Sequence, residues 1–203
     1  MGLQGVLGLR GYGSGTIQWC EDLPLKQKLA LAIGFALIIG IAAQVRILVP
    51  WSPVPITGQT FAVLLAGVLL GRNWGAFSVG FYGGAGALGL PWFQGLAGGL
   101  AYVAGPTGGY ILGFVIAAAF VGYAVRSIPL ARTLPGILAV LLFANFVIIH
   151  GIGLLHLSNL TGITALSELL WLGTIPFILG DLTKIALVAA AAVVLLPREL
   201  PKP

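Results

Sequence analysis

Charge is scarce in this chain. Of 203 residues only 7% are Asp, Glu, Lys or Arg, while 59% are hydrophobic; a soluble domain carries about 25% charged residues. So little charge cannot clothe a surface in water, and a mean hydropathy of +1.07 agrees. The chain reads as an all-α integral membrane protein, multi-pass in the cell membrane. Cysteine is nearly absent: Cys20 stands alone, which excludes an internal disulfide and any thiolate metal cluster. Histidine is limited to His150 and His156, six apart and therefore not on one helix face. Each reads as a hydrogen-bonded group at a helix interface. No His-Glu-x-x-His run or cluster of His and carboxylates suits a metal, so neither a metal nor a cofactor is expected. No Gly-x-x-x-x-Gly-Lys-[Ser/Thr] run exists, so the chain cannot itself use ATP. Nothing assembles a nucleophile, a base and an oxyanion hole, and the protein is expected not to be an enzyme. The net charge of +5 comes from scattered basic residues rather than a patch, which speaks for membrane topology and against nucleic acid.

What the sequence holds in quantity is apolar helix. Six segments are long enough, or nearly so, to span a bilayer: roughly 25–48, 57–71, 74–90, 108–127, 134–155 and 168–196. Only Arg72 and Asn73 separate the second from the third. Basic residues accumulate in cytoplasmic loops. Arg10, Lys26 and Lys28 precede the first segment, Arg72 follows the second, Arg126 and Arg132 follow the fourth, and Arg198 and Lys202 close the chain. Loops 49–56, 91–107 and 156–167 hold no Lys or Arg. Six spans with both termini in the cytoplasm satisfy this pattern. Residues 24–198 are then the transmembrane domain. Residues 1–23, Gly-rich and without the features of a secretory signal, read as an irregular tail with an anchoring turn at 17–19, and 199–203 as a short cytoplasmic tail. Cys20 falls at interfacial depth, where palmitoylation is chemically open.

The outer loops are rich in Pro, Gly and aromatic residues. Irregular backbone at membrane depth needs protein or a cavity to shelter its polar groups, so 91–107 is expected to be a lid over a pocket. Gly67-x-x-x-Gly71, Gly80-x-x-x-Gly84 and Gly109-x-x-x-Gly113 read as helix-packing faces. Ala32-x-x-x-Ala36 and Ala36-x-x-x-Gly40 form a small-residue ridge on the first span, which either packs internally or docks another membrane protein.

Two charges stand inside the last apolar run. Asp181 and Lys184 are three apart, on one helix face. Charges within hydrocarbon are costly and turn inward toward partners, ligands or ions. Other polar groups converge on the outer half: Gln59 at the start of span two, Tyr82 in span three, Gln94 in the lid, Thr107 and Tyr110 at the start of span four. Pro176 is expected to kink the last span near them. Carboxylate, amide and ammonium together suit an uncharged urea-like or amide group, or a ligand carboxylate.

Particular strings carry a resemblance. Ser52-Pro-Val-Pro-Ile-Thr-Gly-Gln-Thr60, Ala87-Leu-Gly-Leu-Pro91, Gly105-Pro-Thr-Gly-Gly-Tyr110 and Gly180-Asp-Leu-Thr-Lys184 resemble, in order and spacing, the BioY family of biotin-binding S components of energy-coupling factor (ECF) transporters. The resemblance runs from about residue 30 to 196. It implies a six-helix component that captures biotin from outside, with Asp181 and Lys184 at the biotin site and Trp92 and Phe93 against its apolar parts. It also implies partners, namely a transmembrane coupling protein and ABC-type ATPases, with Ala32 and Ala36 similar to the motif that docks the coupling protein. Release inside would follow a tilt of the loaded component driven by those ATPases. Relatives carry an Arg or another polar residue ahead of the lid's Gly-Gly-Leu. Here Ala97 precedes Gly98-Gly99-Leu100, which leaves backbone N–H groups or Gln94 to meet the biotin carboxylate. Two other functions compete: an S component for a different vitamin, and a self-sufficient ion-coupled carrier, although no duplication between the halves supports the inverted repeats common in carriers.

Overall fold

The computed structural model describes Cys20 and residues 22–196. The tail, the turn at 17–19, Arg10, Arg198, Lys202 and the segment 199–203 lie outside the described residues. Helix α1 (Leu25–Gln44) leads through a two-residue ribbon, β1 (Arg46–Ile47) and β2 (Ile56–Thr57), into α2 (Gln59–Ala87). A short α3 (Leu100–Val103) lies in the 91–107 segment and precedes α4 (Gly108–Ser127). Helix α5 (Leu134–Thr161) is followed by α6 (Leu166–Gly173) and α7 (Ile178–Leu195).

Helix α2 is a hairpin. Gly71, with φ +78° and ψ −173°, breaks it into arms 59–70 and 72–87. A straight helix would set residues 23 apart about 34 Å from each other, yet Gln59 Nε2 lies 2.5 Å from the Tyr82 hydroxyl. Gly75 comes back beside Ala66 and Gly67, where a Cβ would stand 3.1 Å from the Ala66 carbonyl oxygen. The five long apolar helical stretches therefore make six spans. The reversal fits only because Gly122 of α4 faces it: a Cβ there would overlap the Gly71 carbonyl carbon and the Arg72 nitrogen. Gly122→Val is expected to cost about 1–3 kcal/mol as overpacking and to lower the melting temperature in detergent by about 2–12 °C. Gly80→Ala meets open space and is expected to leave it unchanged.

The first span is shorter than its apolar run. It ends at Gln44 because Arg46 pairs with Thr57 and Ile47 with Ile56 in the ribbon, which satisfies the backbone groups that leave the helix. Helix α5 is longer than expected. It continues through His156 to Thr161, where Gly162 closes it in the left-handed conformation at φ +74°, so the third outer loop shrinks to 162–165.

Fully buried side chains, among them Val63, Leu64, Val68, Ala118, Val121, Leu141 and Val188, form the interior. Large apolar residues such as Ile41, Leu155, Leu179 and Val194 point outward, as lipid-facing residues do. Gly67 and Gly113 admit neighbouring backbone: a Cβ at Gly67 would lie 2.8 Å from the Ala118 carbonyl oxygen, and one at Gly113 2.9 Å from the Ile149 Cα. The Gly80 and Gly84 pair differs from the expectation of a packing face, because nothing approaches either residue.

Ala32 and Ala36 also depart from the docking role that the resemblance implies. Both are fully buried, and Gly40, next on the same face, lies against Trp92. Small side chains here let α1 approach the bundle closely, so the ridge is spent on internal packing. The outward face of α1 instead carries Ile33, Leu37 and Ile41.

Lys28, Arg72 and Arg126 line one recess at one end of the bundle. There Arg132 donates from Nε to the Val125 carbonyl (2.7 Å) and from Nη2 to that of Arg126, placing its charge at the negative C-terminal end of α4. The excess of positive charge faces this end to the cytoplasm. The ribbon and the 91–107 segment occupy the outer end.

Candidate functional site

Asp181 is the hub of a cleft at the outer end. Its Oδ1 accepts from Lys184 Nζ at 2.8 Å, and its Oδ2 accepts from Asn145 Nδ2 at 3.0 Å and lies 2.9 Å from His150 Nε2. The carboxylate and the imidazole are 4% and 5% exposed, and the Lys184 side chain 15%.

Local backbone chemistry assembles this cluster twice over. Asn145 and His150 are five residues apart. On an α-helix that separation leaves them about 140° from one another. Here the segment Phe143–Ile149 is π-helical, and the wider i→i+5 turn brings both onto the same oxygen. The second device is Pro176. It has no N–H for the Leu172 carbonyl, one helical turn back, and the Ser52 hydroxyl donates to that carbonyl at 2.6 Å. Next, Phe177 N bonds to the Thr174 carbonyl at 3.0 Å in a 3₁₀ turn, which frees the carbonyl of Gly173. Tyr110 donates its hydroxyl to that oxygen at 2.8 Å, and His150 Nδ1 lies 3.0 Å from it. A carbonyl only accepts, so Nδ1 carries a hydrogen. The kink expected at Pro176 thus fixes the orientation of His150.

Accounting for lone pairs shows what remains for a ligand. A carboxylate offers about four acceptor positions and an ammonium three donors. Oδ2 is filled by Asn145 and His150; Oδ1 keeps one position, and Nζ keeps two donors. The site therefore presents an acceptor and a donor 2.8 Å apart, facing an open cleft. Val54, Ile56, Ile111, Phe114 and Phe177 supply apolar walls. A mostly apolar cavity with a few placed polar groups is the usual form of a small-molecule site.

Six of the polar residues singled out from sequence as converging on the outer half or standing in the last span line this cleft: Gln59, Gln94, Thr107, Tyr110, Asp181 and Lys184. Gln59 is held on both sides, accepting from Thr57 at 2.9 Å and donating to Tyr82. Tyr82, Trp92 and Phe93 do not line it. Tyr82 is fully buried behind Gln59. Trp92 donates its indole N–H to the Tyr82 carbonyl at 3.0 Å, and Phe93 fills the notch left by Gly86 and stacks on Tyr102. Large aromatic rings beside the lid's glycines are used here to anchor the segment to the core. Gln44 reinforces them, donating to the Trp92 and Phe93 carbonyls and accepting from Leu96 N at 3.1 Å. Within the 91–107 segment Tyr102 lines the cleft; burial raises its hydroxyl above the ordinary value, and the nearby Arg46 charge opposes that rise.

His150 corrects the interface role read from sequence, since it belongs to the Asp181 cluster. His156 keeps such a role, with Nε2 3.0 Å from the Gly105 carbonyl oxygen. Asn145 escaped notice altogether. Its signal was present: a lone amide in the apolar run 134–149, where an unpaired polar group is expensive.

Comparison with known proteins follows the same lines. The sequence matches the BioY family over residues 17–201. It is 35% identical to a probable biotin transporter BioY of Pyrococcus horikoshii, over 85% of this chain and 95% of that protein. It is 33% identical to the biotin transporter BioY of Rhizobium etli, over 78% and 86%. Among solved structures, the S-component for biotin from an ECF-type ABC transporter superposes with a TM-score of 0.76 at 27% identity, covering 85% of this chain and 93% of that one. The chain belongs to the BioY family.

Proposed function

We propose that this chain captures biotin at the outer membrane face and passes it to the cytoplasm together with an ECF transmembrane coupling protein and ABC-type ATPases. The observation that carries the reading is the Asp181–Lys184 pair, an acceptor and a donor 2.8 Å apart in an apolar, outward cleft. One edge of a urea sets an N–H beside a carbonyl oxygen, about 2.3 Å apart from amide bond lengths. That edge is complementary to the pair: Asp181 Oδ1 accepts from the ureido N–H, and Lys184 Nζ donates to the carbonyl. Gln59, at the same wall, is within the set available to the second N–H. The thiophane ring and the aliphatic chain fall to Val54, Ile111, Phe114 and Phe177. Asn145 and His150 hold the carboxylate in place through its other oxygen. The relatives' biotin specificity supports the same ligand, and the absence of a phosphate-binding loop from the sequence fits energy supplied by partners.

Binding of biotin to detergent-purified protein tests the reading, with saturable 1:1 binding expected. A protein that leaves biotin untouched contradicts it. The Asp181–His150 contact also favours a second reading, a proton-coupled carrier. Uptake into liposomes containing this chain alone, driven by a pH gradient, would support that reading instead.

The lid gives a kinetic prediction. A side chain at Gly86 overlaps the Phe93 ring, so Gly86→Val is expected to unseat the anchor of the 91–107 segment. Biotin dissociation should accelerate about tenfold or more, the rate equivalent of roughly 1.4 kcal/mol of overpacking, while association changes little. Stopped-flow release of a fluorescent biotin derivative measures both.

A further inference from the structure

We infer that Arg46 is the residue by which this site selects ligands bearing a free carboxylate, an inference that rests on the biotin reading above. Three observations place it at the rim, beside residues that line the cleft. First, Arg46 is the direct cross-strand partner of Thr57. Directly opposed residues of an antiparallel pair put their side chains on the same face, and Thr57 lines the cleft. Second, Arg46 Nη1 donates to Gln94 Oε1 at 2.7 Å, and Gln94 lines the cleft from the lid side. Third, the guanidinium occupies the space that a side chain at residue 95 would take. That residue is a glycine at φ +74°, so the lid is shaped around the cation.

Among the described residues the charge has no carboxylate partner. Asp181, the buried carboxylate of the cleft, is taken by His150 and Lys184. Glu168, the acidic residue nearest the outer loops in sequence, is exposed at the start of α6. Loops 49–56, 91–107 and 156–167 carry no Lys or Arg, and Lys184 is matched by Asp181. A planar fork with five donors, held by a neutral amide at the rim beside the lining residues Thr57 and Gln94, suits a carboxylate that it grips in two-pronged fashion. The deep Asp181–Lys184 pair would take one end of the ligand, and the rim arginine the acid at the other.

The test compares affinities for biotin, biotin methyl ester and biotinamide by titration calorimetry, for wild type, Arg46→Gln and Arg46→Lys in detergent. Wild type is expected to prefer the free acid to the ester and the amide by about tenfold or more, the scale of a charge-assisted bond. Arg46→Gln should lose about that factor for biotin alone, leaving ester and amide binding as in wild type, so that all three ligands bind alike. Arg46→Lys should retain part of the preference. Equal weakening of all three ligands by Arg46→Gln would make Arg46 only a clamp on the lid and overturn the inference, as would a wild type that ignores esterification. A wild type that binds no biotin overturns the proposed function, and this inference with it.

Discussion

Replacing Asp181 with asparagine is expected to weaken biotin binding by about 30- to 5,000-fold. The range corresponds to the 2–5 kcal/mol cost of truncating one member of a buried, hydrogen-bonded charge pair. Two losses combine. The amide presents a weaker acceptor to the ureido N–H, and the ammonium of Lys184, 2.8 Å away, loses its counter-charge in a site largely closed to water. The melting temperature should fall as well, because an uncompensated charge remains in the bundle. Asp181→Asn combined with Lys184→Met removes that charge and is expected to restore the melting temperature but not the binding. Calorimetry on the single and double variants separates the two effects. Unchanged affinity in Asp181→Asn would remove the carboxylate from the site.

His150→Phe carries the second large effect, a loss of about 10- to 100-fold in affinity. Phenylalanine keeps the ring that stacks on Phe146 and meets Tyr110 edge-on, so packing is preserved. It removes the ring nitrogens that contact Asp181 Oδ2 and the Gly173 carbonyl. Hydrogen bonds involving charged groups contribute about 1.5–3 kcal/mol each; part of that is recovered as the carboxylate turns toward Asn145 and Lys184. Asn145→Leu should act in the same direction. The double variant should lose less than the sum, because both partners serve one oxygen. Strict additivity would show that they act separately.

Much of the architecture was legible in the chain. The distribution of Lys and Arg paired the two short segments around Arg72 as spans, and the Gly71 break within Gln59–Ala87 is the hairpin that this pairing requires. The limits have physical causes. Periodicity does not reveal a π-helix, so Asn145 and His150, out of phase on an α-helix, gave no sign of meeting on Asp181. Aromatic residues beside glycines suggested ligand contact for Trp92 and Phe93, but a lid must itself be anchored, and anchoring consumed both. A small-residue ridge looks the same whether it packs inward or outward; for Ala32 and Ala36 only burial decided. Nothing in the sequence pairs Arg46 with Thr57, a contact that only the β1–β2 ribbon creates. Pro176 was legible as a kink. Which carbonyls it releases, and that Ser52, Tyr110 and His150 accept the invitation, depended on tertiary neighbours.

Binding of ureido-modified analogues examines the site most directly. Desthiobiotin keeps the urea and lacks the sulfur; 2-iminobiotin keeps the ring and replaces the carbonyl oxygen with nitrogen, which in its protonated form donates where Lys184 also donates. The Asp181–Lys184 assignment predicts that desthiobiotin binds within about tenfold of biotin, whereas protonated 2-iminobiotin loses about a thousandfold or more, as befits a buried donor left facing a donor. Protonated 2-iminobiotin binding as tightly as biotin would contradict it.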